Sequence, residues 1–206
     1  MLNYFEKNMY QSTIQNLINK LARLPSIGPK TAERLTFFLL KESPEELEQL
    51  ARAIIKAKQS VKICHQCFNF SETIPCPICS DKRRDHSLIC VVSKPQDVVA
   101  IEKSSSFNGV YHVLGGNINP LDNSFPENLS INQLLERINT QDIKEIILAL
   151  NPDIEGETTS LFLINKLKNN PKIKITKLAR GLPMGADIEY ADELTLENAL
   201  KGRQRV

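Results

Sequence analysis

Four cysteines in two closely spaced pairs constrain this chain more than any other feature. Two residues separate Cys64 from Cys67 and Cys76 from Cys79, and eight residues lie between the pairs. Two thiolate pairs on short turns supply the four ligands of a tetrahedral zinc site. Two disulfides are the alternative, but the chain has no secretory signal pattern, and a reducing cytosol disfavours disulfides. We therefore predict zinc, with a structural function, because four thiolates leave no open coordination position.

Three other reactive residues have structural explanations. His65 lies inside the first cysteine pair, and we expect it to face solvent, because four thiolates already complete the site. Cys90 lies in the apolar run Leu88–Val92, where a thiol packs as a small hydrophobic side chain. His112 falls within a predicted strand, which favours a hydrogen-bonded structural histidine over a general base.

The front of the chain, residues 1–60, has the periodicity of amphipathic helices. Apolar residues recur at helical spacing from Ile14 to Leu21, and Ser12 with Gln15 predicts a capping box at the start of this first helix. A short link containing Pro and Gly follows. We predict a second helix that includes Leu35, Phe38 and Leu39, and a third that starts at Ser43–Glu46 and carries Leu47, Leu50, Ala51, Ile54 and Ile55.

Beyond the cysteines, short apolar runs alternate with helical patterns, which is typical of a parallel sheet with crossover helices. The predicted strands are Leu88–Val92, Val110–Val113, Ile146–Leu150 and Ile173–Thr176. The predicted helices between them are Asp97–Glu102, Ile131–Ile138 and Thr158–Leu167, and a last short helix is predicted at Leu194–Leu200.

These changes of pattern predict an α/β multidomain fold. We expect a helical module at 1–60, a small zinc element at 61–84, a Rossmann-like parallel-sheet domain at 85–178, and a C-terminal segment at 179–206 that makes oligomer contacts.

Composition excludes few function classes. No apolar run approaches the roughly 20 residues that a membrane helix needs, so we expect a cytoplasmic protein without a membrane partner. The formal net charge is only +2, although residues 1–60 hold nine Lys and Arg against six Asp and Glu, and the remainder 17 against 18. This bias is too mild to identify a nucleic-acid partner by itself.

The link between the first two predicted helices carries a stronger signal for DNA. Leu24–Ala32 places Gly28 just before the second helix, where backbone amides point outward and can bind phosphate. Lys30 and Arg34, one turn apart, project from the same end of that helix. This passage resembles a helix-hairpin-helix motif, a clamp for the DNA backbone that does not read sequence. The motif usually has glycine where Ser26 stands.

The carboxyl end of the third predicted strand is acidic and resembles the signature of Toprim domains, which occur in topoisomerases and primases. Those enzymes pair an Asp-x-Asp element with a glutamate after the first strand. In this chain Asn151 replaces the first aspartate, and Ser93 stands in place of the glutamate. Neither an amide nor a hydroxyl supplies the charge for tight Mg²⁺ binding or for proton transfer. We therefore interpret the sheet as a Toprim scaffold without a catalytic centre, in which Asp153 and Glu155 are surface acids at a partner site or a weak magnesium site.

In this order, a helix-hairpin-helix, a four-cysteine zinc element, a Toprim domain and a glycine-containing tail resemble the bacterial recombination mediator family RecR. The resemblance covers nearly the whole chain. Its most specific segments are 24–32, the cysteine pairs, 109–116, 151–158 and 179–187.

The resemblance implies a DNA-repair protein that is not an enzyme. It implies a ring-like homotetramer, or dimers that assemble into one, in which Lys30 and Arg34 face a central hole that encircles DNA. It also implies partnership with RecO, and in some cases RecF, in loading RecA onto gapped or single-stranded DNA coated with single-strand-binding protein.

Two other function classes stay open on the residues alone. One is a magnesium-dependent Toprim enzyme, acting as a primase, nuclease or topoisomerase, for which Asp153 would be essential. The other is an adaptor that binds proteins through its zinc element and sheet and whose helical front never contacts DNA.

Overall fold

The computed structural model describes residues 10–168 and 170–203. The chain divides into two compact units between Ser60 and Val61. Within the described residues, no helix is both long enough and apolar enough to cross a lipid bilayer.

The first unit is helical, as its periodicity predicts. Ile18, Ala32 and Thr36 are buried where α1 and α2 pack together. The capping box predicted at Ser12 and Gln15 is wrong, because the helix begins one residue earlier than that pattern requires and no side chain caps it. The three helices are α1 (Ser12–Leu21), α2 (Pro29–Leu39) and α3 (Pro44–Ser60).

Helix α3 differs from α1 and α2 in burial. It buries none of its residues, although it carries the predicted apolar stripe. Leu50, Ile54 and Ile55 are 48%, 64% and 55% exposed. Among its described residues, the first unit therefore leaves an apolar helix face uncovered.

The second unit begins with the cysteine segment and continues into a parallel sheet. The cysteine segment contains β1 (Lys62–Ile63), its antiparallel partner β2 (Phe70–Ser71), and α4 (Pro77–Ser80). The sheet consists of β3 (Asp85–Val92), β4 (Gly109–Val113), β5 (Glu145–Ala149) and β6 (Lys174–Lys177), in the spatial order β4-β3-β5-β6 with every pair parallel. The connecting helices are α5 (Pro95–Lys103), α6 (Ile131–Thr140) and α7 (Ile154–Leu167), and α8 (Glu193–Lys201) lies near the C-terminus.

Both faces of the sheet are covered, because alternate residues of each strand point to opposite sides. On one face, Ile89 and Val91 of β3 pack with apolar residues of α6 and α7. On the other face, Cys90 and Val92 pack with α5 and with Ile78 of the cysteine segment. The predicted combination of a helical front, a four-cysteine element and a parallel α/β sheet is confirmed.

Candidate metal centre and nucleic-acid interface

The four cysteines converge on one point. Their sulfur atoms all lie within 4.8 Å of one another, and all four residues are buried. The Sγ atoms of Cys67 and Cys76 are 3.5 Å apart. A tetrahedron with Zn–S bonds of about 2.3 Å has sulfur–sulfur edges of about 3.8 Å, so this spacing fits a zinc ion.

Backbone hydrogen bonds set each cysteine pair on a tight turn. The amide of Phe68 donates to the carbonyl of Cys64 at 2.9 Å. In the second pair, the amide of Cys79 donates to Sγ of Cys76 at 3.4 Å, and that of Cys76 donates to Sγ of Cys64 at the same distance. Amides aimed at sulfur stabilise thiolates, which are the form that binds metal.

The close packing of the four sulfur atoms also favours a cation. Hydrogen bonds among them hold the pKa of the Cys76 thiol well below its ordinary value and raise the pKa of Cys67 and of Cys79. Four thiols this close cannot all ionise unless a cation balances their charge. The donor set, its burial and its spacing all fit a structural zinc ion.

The cysteine segment is attached to the edge of the sheet. The amide of Val113 on β4 donates to the carbonyl of Cys67 at 2.8 Å. Arg137 of α6 donates from Nη1 to the carbonyls of Gln66 and Tyr111, at 3.1 Å and 2.8 Å. An uncovered edge strand invites pairing with other chains, and the cysteine segment covers β4 at this point.

The other reactive residues lie where the sequence predicts. His65 is exposed, and Cys90 is 2% exposed within the core. His112 is fully buried, and its Nε2 is 2.8 Å from the carbonyl oxygen of Ser130. Burial lowers the pKa of His112 to about 4, so the ring is neutral at physiological pH and serves the packing of the sheet.

The link between α1 and α2 forms a tight turn. Ser26 has φ of 63°, in the left-handed region that favours glycine. This is the position at which the helix-hairpin-helix motif usually has glycine. Gly28 follows with φ of −80° and ψ of 170°, as the N-cap of α2.

No contact with residues 10–168 or 170–203 requires glycine at position 28. A Cβ atom built on it meets none of their atoms within 4 Å. The first hydrogen bond inside α2 runs from the amide of Ala32 to the carbonyl of Gly28, at 2.9 Å. The amides of Lys30 and Thr31 precede this bond and have no partner inside the helix. The open space at Gly28 therefore admits a ligand close to these amides.

Lys30 and Arg34 are both exposed on α2, one turn apart. The first turn of this helix contains no acidic residue, and no side chain caps its N-terminus. The positive end of the helix dipole thus coincides with two cationic side chains.

The position of the missing Toprim glutamate contains a neutral hydrogen-bond network. Ser93 is 2% exposed at the end of β3, and its hydroxyl donates to Oδ1 of Asn117 at 2.5 Å. Nearby, the amide of Ile118 donates to Oγ1 of Thr159 at 2.9 Å. Sequence reasoning missed Asn117 and Thr159, because both lie far along the chain from Ser93 and carry no pattern of their own.

The acids after β5 are used by the fold. Asp153 is the N-cap of α7, and its Oδ1 accepts a hydrogen bond from the amide of Gly156 at 2.7 Å. Glu157 forms ion pairs with Lys177 and Arg180, which lower its pKa. Glu155 is half-buried. Within 10–168 and 170–203, the cysteines are the only group of three or more metal-binding side chains close enough to share an ion, so Asp153 and Glu155 have no third ligand there.

Domain families match almost the whole chain. Residues 14–58 match the RecR helix-hairpin-helix, and residues 61–81 match the four-cysteine zinc finger domain of RecR. Residues 87–179 match the Toprim domain, and residues 181–204 match the RecR C-terminal region.

Whole proteins match over the same length. The recombination protein RecR of Bifidobacterium adolescentis is 52% identical over 197 residues, which cover 96% of this chain and 98% of that protein. RecR of Synechocystis is 51% identical over 198 residues, covering 96% and 84%, and RecR of Tropheryma whipplei is 48% identical over 198 residues, covering 96% and 100%. With three RecR-specific domains in the same order, this identity shows that the chain belongs to the RecR family of recombination proteins.

Proposed function

We propose that this protein is a DNA-binding mediator of recombinational repair and that it catalyses no reaction. In this proposal it acts in the cytoplasm with RecO, and in some cases RecF, to help load RecA onto gapped or single-stranded DNA coated with single-strand-binding protein. The observation that carries the DNA-binding step is the open N-terminus of α2, with Gly28, Lys30 and Arg34 around it.

A phosphate group suits this terminus for three reasons. The amides of Lys30 and Thr31 have no partner within the helix, and no atom of the described part of the chain lies within 4 Å of a Cβ built on Gly28. Lys30 and Arg34 add charge beside these amides. All of these contacts are to the backbone of DNA and carry no sequence information. Binding at all sequences, with a strong dependence on salt, is the expected behaviour.

The absence of catalysis in this proposal is supported by how the sheet end is used. Asp153, the remaining aspartate of the Toprim signature, already accepts a hydrogen bond as a helix cap. Ser93 stands in place of the glutamate and donates to Asn117. A magnesium-dependent Toprim enzyme needs anionic oxygens at positions 93 and 151, where this chain has a hydroxyl and an amide. We assign Asp153 and Glu155 to a protein-partner surface instead.

Assembly into a ring would multiply the few cations of each chain around DNA. The uncovered apolar face of α3 supports an oligomer, because a face with Leu50, Ile54 and Ile55 exposed is typical of a protein interface. Several hairpins that bind one DNA molecule together increase the effective affinity without new contacts in any one chain.

The double substitution Lys30→Ala with Arg34→Ala tests the DNA-binding step. We expect it to weaken binding at least about tenfold on every DNA sequence and to reduce the slope of log K against log salt. Lys168→Ala with Lys172→Ala removes the same charge from exposed positions of the second unit and should bind nearly as the unmodified protein does. Equal binding by all three proteins, in gel shifts at two salt concentrations, would remove the hairpin from the proposal.

The mediator step needs a separate assay. RecA-dependent ATP hydrolysis on gapped DNA coated with single-strand-binding protein should start sooner when this protein and RecO are both added. The hairpin double variant should lose this effect, and no effect from the unmodified protein would contradict the mediator function.

A further inference from the structure

Arg137 is a buried cation on a helix stripe that is otherwise apolar. It lies on the stripe of α6 that contains Leu134 and Ile138, and it is only 7% exposed. Burying a charge without a counter-charge is strongly unfavourable even after the protein relaxes. The position of Arg137 therefore requires a compensating interaction.

The hydrogen bonds of Arg137 do not supply a negative charge to balance its guanidinium. Nη1 donates to two backbone carbonyls, and Nε donates to Oε1 of Gln141 at 3.0 Å. All three acceptors are neutral. In the parts of the chain that the structure describes, no carboxylate oxygen lies within 4.0 Å of this guanidinium.

Arg84 shows the usual arrangement in the same unit. Its side chain is 16% exposed, and it also donates to a β4 carbonyl, that of Gly109 at 3.0 Å. However, its guanidinium forms two hydrogen bonds with the carboxylate of Glu102. Two arginines thus contact the same strand, one paired with a carboxylate and the other without one.

The cysteine cluster is a source of negative charge beside Arg137. Gln66, whose carbonyl accepts from Arg137, lies between Cys64 and Cys67. Cys79 and Arg137 line the same cavity of about 430 Å³, together with the exposed acid Asp142. Four thiolates with one bound Zn²⁺ carry a net charge of about −2, so the zinc-bound centre is still negatively charged.

We propose that Arg137 is the internal counter-ion of the zinc tetrathiolate centre and that it couples zinc binding to the attachment of the cysteine segment on β4. It is a positioning residue, because it touches the backbone of the segment and not the ligand atoms. The proposal does not depend on DNA binding or on mediator activity.

Zinc affinity measured at fixed pH, by competition with a chelator of known affinity, tests this on the full chain. Arg137→Met keeps the length of the side chain but removes the charge, and we expect zinc binding to weaken by about 10–100-fold. Arg137→Lys keeps the charge and should stay within about threefold of the unmodified protein. Arg84→Met, the matched control, should lower stability and change zinc affinity less than about twofold.

Two outcomes overturn the proposal. One is a zinc affinity of Arg137→Met within about threefold of the unmodified protein. The other is an Arg137→Lys variant that binds zinc as weakly as Arg137→Met, since packing and not charge would then be responsible.

A measurement on the unmodified protein decides the matter if Arg137→Met does not fold. Removal of zinc leaves the Arg137 guanidinium buried without its counter-charge, so hydrogen exchange should accelerate along α6 as well as in the cysteine segment. Exchange around the Arg84–Glu102 pair should change much less. Protection of α6 that stays the same after zinc removal would contradict the counter-ion function.

Discussion

The N-termini of α2 and α7 present the same electrostatic problem and resolve it in opposite ways. Each helix start leaves unpaired amides and the positive end of a dipole. In α7, the Asp153 side chain caps the helix, and Glu155 and Glu157 lie in its first turn. In α2, the cap is Gly28, no side chain bonds to the amides, and the first turn has no acid. The chain satisfies α7 internally and leaves α2 available to an external anion.

Gly156 of α7 and Gly28 at the start of α2 also differ in how closely other atoms surround them. A Cβ on Gly156 would lie 2.1 Å from the carbonyl oxygen of Asn151. A Cβ on Gly28 would meet no atom of the described residues within 4 Å. The glycine of α7 is therefore required by the fold, whereas the glycine of α2 leaves open space at the start of its helix.

The largest expected effect is on stability and concerns α7. Gly156→Ala forces the Asn151 carbonyl to move and disturbs the Asp153 cap, so we expect a loss of about 3 kcal/mol in the free energy of unfolding. Gly28→Ala is the matched control and should cost no more than about 1 kcal/mol, because alanine caps a helix less well than glycine but lowers the entropy of the unfolded chain. Denaturant titration of both variants checks this. Equal stability of the two would show that α7 adapts, and the comparison would then fail.

Much of the fold could be predicted because its signals are local. The run Leu88–Val92 falls inside β3, and the predicted Ile131–Ile138 falls inside α6, since periodicity depends on near neighbours. The zinc ligands could be predicted for the same reason, because spacing alone brings two cysteines onto one turn. The capping box at Ser12 failed because its pattern does not specify where the first helical residue lies, and such boundaries shift by a residue or two.

What could not be predicted depends on contacts between distant segments. The strand order places β4 at an edge, where the Cys67 carbonyl accepts from Val113. No local pattern specifies that pairing. Arg137 did carry a signal, since it is a charged residue on the apolar stripe of α6. Its meaning required the carbonyls of Gln66 and Tyr111, which come from elsewhere in the chain.

The next effect is on DNA binding and would make α2 resemble α7. Gly28→Asp supplies a side-chain cap and a negative charge, both of which α7 has. Because an aspartate caps at least as well as glycine, stability should be equal or a few tenths of a kcal/mol higher. DNA affinity should fall about tenfold or more, since the cap occupies the amides proposed for phosphate and its charge repels it.

A neutral cap separates the effect of occupying the amides from the effect of repelling the phosphate charge. Gly28→Asn caps the helix without charge, so its DNA affinity should lie between those of the aspartate variant and the unmodified protein. Gel shifts of the three proteins at one salt concentration give the ranking. A Gly28→Asp protein that binds DNA as tightly as the unmodified one would show that the N-terminus of α2 does not contact phosphate.

The smallest expected effect concerns the turn that leads into α2. Ser26 has φ of 63°, a conformation that costs a non-glycine residue about 1–2 kcal/mol. Glycine relieves this strain but loses more entropy on folding, so Ser26→Gly should stabilise the first unit by about 0.5–1 kcal/mol. Hydrogen exchange of the α1 and α2 amides measures the stability of this unit separately.

Asn123→Gly, at φ of 54°, is the control and should increase stability less, because asparagine tolerates the left-handed region. No gain at Ser26 would show that its side chain offsets the strain, and a simultaneous loss of DNA affinity would assign that side chain to phosphate.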